Sequence, residues 1–289
     1  MDVVRDAVLV AAGLGKRMFP ASAFSPKEAL PLIDVPLLTH LILEAKEANI
    51  QRFHVVVSPT KSFEPWLENR ENLHALQTRL DKQLFHAAAG MEIHVHVQHE
   101  PKGVANAIET ALGAVEGPFL VMLGDNLLMD VHAPVEAYVP SAASKRLVQA
   151  FMDHGKPTIG LMEVDEADVG KYGIVGLEDQ RICAMVEKPA PENAPSKMAI
   201  CGRYVFSAET RALLKTYTYD QHGELQSIAL LKHWMNEGAL HGHVFENTQW
   251  YDSGDPLLWL KAQVDHALRR ADYGEDMRAW LNDRLSGQR

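Results

Sequence analysis

Short, fully apolar runs that stop at glycine or acidic turns, with helix-period segments between them, constrain this 289-residue chain most. Ala7 to Val10 and Phe119 to Leu123 show no polar alternation, as strands covered on both faces require. Between them, Leu37, Leu38, Leu41, Ile42, Ala45 and Ala48 recur at helical spacing. A strand at 53–57, polar helical material over 70–85, a strand at 93–98 and a helix over 104–115 follow. This alternation predicts an α/β fold: a Rossmann-like mixed, mostly parallel sheet flanked by helices.

The second half is predicted to be more irregular. Strands at 158–164, 182–186 and 199–206 are joined by loops, and Ser207 caps a following helix. Another helix covers 225–234, and the stretch 256–285 is helical with Leu257, Leu260, Val264 and Leu268 as its apolar face. No repeat, low-complexity segment or linker divides the chain, so one continuous domain spanning 1–289 is expected.

Composition excludes several classes. Hydrophobic residues make up 47% and charged residues 23%, ordinary for a soluble globular protein long enough to bury a sizeable core. A net charge of −10 argues against a sequence-independent grip on nucleic acid. No apolar run reaches the ~18 to 20 residues that span a bilayer, and residues 1–6 lack the basic region of a signal peptide. Cys183 and Cys201, without zinc spacing, fit a reduced cytoplasmic chain. His94 and His96 alternate with Ile93, Val95 and Val97, as outward positions of a half-buried strand would. With Glu92 on that face and His99 just past it, a solvated strand face is the expectation and a metal site the alternative.

The first run empties into Ala11-Ala12-Gly13-Leu14-Gly15-Lys16-Arg17-Met18-Phe19-Pro20, closed by Pro26-Lys27-Glu28. Without a Cβ, backbone N–H groups can approach an anion closely, and Lys16, Arg17 and Lys27 can neutralise it. A polyphosphate suits such a loop, which points to a nucleotide enzyme or binder; the plainer alternative is a strand-to-helix turn with solvated charges. A dinucleotide fingerprint is excluded because Met18 occupies its third glycine position. A Walker loop is excluded because Arg17 follows Gly15-Lys16, where a hydroxyl must hold magnesium.

Asp125 ends an apolar strand, where α/β sheets place ligands; it either holds Mg²⁺ against phosphate or forms an Asp-Asn turn. Trp250-Tyr251-Asp252-Ser253-Gly254-Asp255-Pro256 is a second acidic turn, with Asp252 a second magnesium carboxylate or a capping residue. In Glu187-Lys188-Pro189, adjacent strand residues point to opposite faces, and both serve one ligand only where the strand ends. Pro189 favours that ending, leaving Glu187 for sugar hydroxyls and Lys188 for a phosphate, or a surface pair. Gln98, five residues before Gly103, offers the donor and acceptor that a pyrimidine edge needs, or is simply solvated. No Ser-His-Asp or Cys-His arrangement stands out. Cations, a glycine loop and carboxylates fit phosphoryl or nucleotidyl transfer, in which catalysis is mainly positioning and charge neutralisation.

Together these residues resemble the sugar-1-phosphate nucleotidylyltransferase family. The pattern A-G-x-G-[TS]-R-[ML]-x-P…P-K-E matches Ala12 to Pro20 and Pro26-Lys27-Glu28, apart from Lys16. Val186-Glu187-Lys188-Pro189, Ala194-Pro195-Ser196, Ala199-Ile200-Cys201-Gly202-Arg203-Tyr204, Ser58-Pro59-Thr60-Lys61-Ser62 and Met277-Arg278-Ala279-Trp280-Leu281 are similar to its bacterial-type UTP–glucose-1-phosphate uridylyltransferase group. The resemblance covers essentially the whole chain. It implies a magnesium-dependent exchange of UTP and glucose 1-phosphate for UDP-glucose and pyrophosphate. It also implies a nucleotide-binding half over about 1–130 and a sugar-binding, C-terminally helical half over about 131–289.

Carried over by motif, Ala12, Gly13, Leu14 and Gly15 contact the nucleotide, with Glu28, Gln98 and Gly103 near the base. Arg17 and Lys27 are the catalytic cations, Asp125 and Asp252 the metal ligands, and Gly173, Glu187 and Lys188 the sugar-phosphate contacts. A homo-oligomer, dimer or tetramer, is implied as well. The chain departs from the family at Lys16, at Leu123-Gly124-Asp125-Asn126, which looks more like the thymidylyltransferases, and at Gly223-Glu224-Leu225-Gln226-Ser227-Ile228. Transfer of thymidylate or use of another hexose 1-phosphate therefore stays open, as does a catalytically silent UDP-sugar-binding sensor.

Overall fold

The computed structural model describes residues 3–216 and 227–287. In chain order its strands are β1 Asp6–Val10, β2 Pro31–Leu32, β3 Val35–Pro36, β4 Arg52–Val57, β5 Glu92–Val97, β6 Phe119–Leu123, β7 Asn126–Met129, β8 Thr158–Glu163, β9 Gly173–Glu178, β10 Arg181–Glu187, β11 Met198–Phe206, β12 His241–Val244 and β13 Gln249–Asp252. Nine of them form one sheet in the order β5-β4-β1-β6-β11-β8-β12-β10-β9. The strands β5, β4, β1 and β6 run parallel. Antiparallel β11 joins β6 and leads into a mixed half, where β8 and β12 are parallel and β9 and β10 antiparallel. Separate two-stranded pairs are formed by β7 with β13 and by β2 with β3.

Helices cover both faces, the expected architecture. Helices Leu37–Glu47 and Ala143–His154 pack on one face over Ala7, Leu9, Phe53, Val55, Leu120 and Met122. Helices Val104–Ala111 and Ser227–Asn236 cover the other, over Val8, Val56, Val121 and Phe206. Two-sided burial is why β1 and β6 carry no polar alternation. Among the described residues no helix is long and apolar enough to cross a membrane.

The structure corrects four local expectations. Residues 70–85 contain only the short turns Glu71–His74 and Lys82–Phe85. Leu73 and Leu76 are exposed there, so no apolar stripe supports a longer helix. Ser207 is not a helix cap, because helix Thr210–Leu214 has Glu209 at its N-cap. The C-terminal stretch is two helices, Pro256–Arg269 and Gly274–Leu285, parted at Arg270, whose buried guanidinium bonds both Asp34 and Asp272. The face that the first of these buries is Trp259, Ala262, His266 and Ala267, while Leu257 and Leu260 are 59% and 60% exposed. The helix carries two apolar stripes, and the core takes the one holding the larger tryptophan.

The histidine face of β5 is the fourth correction. His94 and His96 turn toward β4, where fully buried His54 stacks on His94 at 4.9 Å and hydrogen-bonds His96 at 3.0 Å. Val95 and Val97, on the opposite face of this edge strand, are also exposed, and the His94 side chain keeps 40% exposure. The cause lies one strand further in. Asp6 is buried with Arg52 in a two-bond ion pair of 2.7 Å each, and His54 Nε2 supplies a third contact at 2.9 Å. Burial alone would raise the Asp6 carboxyl, but the bonds from Arg52 and His54 bring it down to about 2. A depressed folded value means the stabilisation is complete above the unfolded carboxylate range and is lost as pH falls toward about 2. The contribution is on the order of 2 kcal/mol. Urea midpoints measured from pH ~6 down to pH ~2 fall less steeply in Asp6→Asn than in the parent; equal slopes would mean that Asp6 titrates as a free carboxyl.

Candidate active site

The parallel strands bring their carboxyl ends to one edge, and backbone bonds tie those ends together. Ala11 N–H donates to Val56 O at 2.9 Å, Gln98 N–H to Val57 O at 2.8 Å, and Gly124 N–H to Val10 O at 2.9 Å. The glycine loop, the turn after β5 and the Gly124-Asp125 turn are therefore neighbours because of the topology. Gly15 takes φ 64°, a left-handed conformation that starts the Lys16–Met18 turn, and Ser22 Oγ holds its carbonyl at 2.8 Å. A Cβ added to Gly13 would meet nothing within 4 Å, so the loop backbone is open to a ligand there. Ala12 is buried at the root of the loop, whereas Leu14, Lys16 and Arg17 are exposed.

The turn Lys27–Ala29 passes beneath this loop, and its charges are buried and paired. Lys27 Nζ donates to Asp125 Oδ2. Glu28, 1% exposed, receives Lys61 Nζ at 2.9 and 3.1 Å, and the same ammonium donates to Ala11 O at 2.8 Å. Burial holds Lys61 below its ordinary value despite Glu28. It would do the same to Lys27, but the Asp125 and Glu28 carboxylates keep that ammonium above its usual range. Lys61 was visible in the sequence only as part of a resembling motif; its anchoring role comes from the fold.

Asp125 and Asp252 meet because β7 and β13 pair in the register Asn126 to Asp252. A Cβ added to Gly254 would lie 2.8 Å from Arg17 Nη2, 2.9 Å from Asp252 Oδ1 and 3.6 Å from Asp125 Oδ2. Gly254 thus marks the point where loop cation and both acids converge. Burial pushes the Asp252 carboxyl up, and the neighbouring Asp125 charge adds to this. Burial acts on Asp125 in the same sense, but Lys27 outweighs it and holds Asp125 below the usual carboxylate range. Two adjacent, half-buried carboxylates of this kind favour a cation between them. Among the described residues no group of three or more His, Cys, Asp or Glu side chains is arranged to hold a metal, so an ion at this pair would complete its shell with other oxygens.

A cavity of about 870 Å³ opens from that point, and Arg17, Asp125, Gly173, Glu187, Lys188 and Asp252 all line it. Lys188 adopts φ 46°, and this left-handed twist after β10 lets two adjacent residues face one space. Gly173 pairs with Glu187 across the sheet, and a Cβ on it would come within 3.0 Å of Glu187 Oε2. Tyr172 and Trp250, with ring centroids 4.6 Å apart, form a wall that the sequence did not single out. Gln98 and Gly103 lie outside this cavity, on the loop side; Gln98 Nε2 donates to Gly103 O at 3.1 Å and to Asn106 Oδ1 at 2.8 Å. The departure at Gly223 to Gln226 lies outside the described residues.

With loop, acids and cavity in view, the likenesses to known proteins are informative. The family model for nucleotidyl transferase matches residues 6–267. UTP–glucose-1-phosphate uridylyltransferase YngB of Bacillus subtilis (strain 168) is 31% identical, covering 97% of this chain and 95% of its own length. The UTP–glucose-1-phosphate uridylyltransferase of Staphylococcus epidermidis is also 31% identical, over 97% and 98%. A crystal structure of UDP-glucose pyrophosphorylase complexed with UDP-glucose aligns with TM-score 0.78 at 25% identity, covering 91% of this chain and 98% of that one. UDP-glucose pyrophosphorylase from Acinetobacter baumannii shares the fold, with TM-score 0.81 at 24% identity over 97% and 99%. By the family match across its sheet and site, and by relatives aligned along nearly its full length, the chain belongs to the nucleotidyl transferase family.

Proposed function

We propose that this protein transfers uridylyl from UTP to glucose 1-phosphate, giving UDP-glucose and pyrophosphate. The observation that carries the reading is the cavity in which Glu187 and Lys188 face Arg17 and the Asp125–Asp252 pair across one space. Curated relatives over nearly the whole chain have this activity as their name.

In this reading UTP lies on the open backbone of Ala12, Gly13, Leu14 and Gly15, with its base toward Glu28, Gln98 and Gly103. Glucose 1-phosphate occupies the cavity, its hydroxyls toward Gly173 and Glu187 and its phosphate on Lys188. An oxygen of that phosphate attacks the α-phosphorus of UTP, a new P–O bond forms, and the bond to the bridging oxygen of the leaving pyrophosphate breaks. Two anions must approach, so Arg17 and Lys27 neutralise the triphosphate as charge builds on the leaving group. The acid pair fits Mg²⁺: Asp125 and Asp252 converge on one point, and burial together with the neighbouring Asp125 charge pushes the Asp252 carboxyl up. Bound there, the ion would supply charge neutralisation to phosphate oxygens. We place the reaction in the cytoplasm and expect the chain to self-associate as a dimer or tetramer.

Pyrophosphate release measured over UTP and dTTP, each with glucose 1-phosphate and other hexose 1-phosphates, tests the assignment. Turnover is expected to be fastest with UTP and glucose 1-phosphate. Faster turnover with dTTP would overturn the choice of nucleotide, and no release with any pair would leave a binding protein.

A further inference from the structure

The fully buried ion pair of Glu44 and Arg203 lies outside the reaction described above, yet one of its bonds ends beside the acid pair. Arg203 grips Glu44 with Nε to Oε1 at 2.9 Å and Nη2 to Oε2 at 2.8 Å, both side chains being 0% exposed. Ser144 Oγ donates to the same carboxylate at 2.5 Å. That arrangement alone would satisfy the carboxylate. Arg203 Nη2 nevertheless donates again, to Asn126 O at 2.9 Å.

Asn126 is where this bond becomes functional. Its Nδ2 donates to Asp125 Oδ1 at 2.7 Å, and its Oδ1 accepts from Trp250 Nε1 at 2.7 Å. Trp250 stands two residues before Asp252 on the paired strand, so one asparagine touches both acid-bearing segments. Gly202 clamps it from the other side: a Cβ there would come within 3.0 Å of Asn126 Cγ and 3.1 Å of Leu123 Cβ. Its φ of 73° lets β11 approach this closely, immediately before Arg203. With Asn126 Nδ2 on Oδ1 and Lys27 Nζ on Oδ2, both oxygens of the Asp125 carboxylate are held, and Arg203 in turn ties down the Asn126 carbonyl.

We infer that the Glu44–Arg203 pair is a positioning device for the Asp125–Asp252 cation site, acting through Asn126. The inference rests on reading those two acids as metal ligands. Partners one bond removed from a metal's ligands orient the ligand, and losing them weakens metal binding or activity about 10- to 100-fold; Asn126 is that partner of Asp125, and Arg203 holds it from one bond further out. A merely structural ion pair has no such effect, since replacing both charges with apolar side chains of similar volume is often neutral for the fold.

The test is the double variant Glu44→Met/Arg203→Met, titrated with Mn²⁺ by water-proton relaxation and assayed for pyrophosphate release. The expected result is a folded protein with melting temperature near the parent, Mn²⁺ affinity lowered about tenfold or more, and kcat lowered to match. A folded double variant that binds Mn²⁺ as the parent does would overturn the inference. Should the double variant not fold, Arg203→Lys serves, because one ammonium cannot reproduce the fork that holds Glu44 and Asn126 O together. Weakened Mn²⁺ binding in that folded variant supports positioning, and parental affinity refutes it. A parent that binds no Mn²⁺ would instead remove the metal reading of Asp125 and Asp252, and this inference with it.

Discussion

Asp125→Asn is expected to lower magnesium-dependent pyrophosphate release by roughly 10³-fold, the scale of losing a preorganised charge at a phosphoryl-transfer centre. The substitution keeps the shape of the turn after β6 and removes one negative charge. Two interactions are lost with it: the ion pair to Lys27 and half of the acid pair shared with Asp252. Glu28 remains beside Lys27, so the ammonium keeps a counter-charge and the fold survives. Initial rates against magnesium concentration, with circular dichroism of the same samples, check the result. A variant turning over near the parent rate would make Asp125 a turn residue and leave Asp252 without a partner in metal binding.

Arg203→Ala is expected to destabilise the protein by about 3–5 kcal/mol, because it strands the Glu44 carboxylate, 0% exposed, without its charged partner. For a chain of this size that corresponds to a fall in melting temperature of roughly 10 °C. Ser144 still donates to Glu44, but one hydroxyl does not replace a two-bond guanidinium. Differential scanning calorimetry reads the shift. A loss below about 1 kcal/mol would show that the pair is as cheaply replaced as a surface ion pair.

Local sequence carried the elements that bury an unbroken apolar run. β1, β4, β6, β8 and β11 stand where the patterns put them, and helix Leu37–Glu47 follows its apolar spacing. It failed where two patterns competed or none was strong. Pro256–Arg269 has leucines on one stripe and Trp259, Ala262 and His266 on another, and only its neighbours β13, β2 and helix Gly274–Leu285 decided which was buried. In β5, alternation alone placed the histidines in solvent, but the buried Asp6 two strands away recruits His54, and both histidines pack against it. Helix Ala143–His154 was missed although Leu147 and Phe151 repeat at helical spacing and Gly155 ends it in a left-handed turn.

By itself the sequence determined which residue types stand at the loop and at the strand ends. Gly13, Gly15, Arg17 and Lys27 follow a strand, Asp125 ends another, and Glu187-Lys188 precede a proline; these are local, covalent facts. Tertiary structure alone decided which of those charges meet. Lys27 could be read as a loop cation, but it is held under the loop by Asp125, 98 residues away. Glu28 is bound to Lys61 rather than standing free. Asp252 joins Asp125 only through the pairing of β13 with β7, and the arginine that steadies them reaches Asn126 across 77 residues of chain. Charges attract through space, and spacing along a chain cannot report a distance that a sheet's strand order creates.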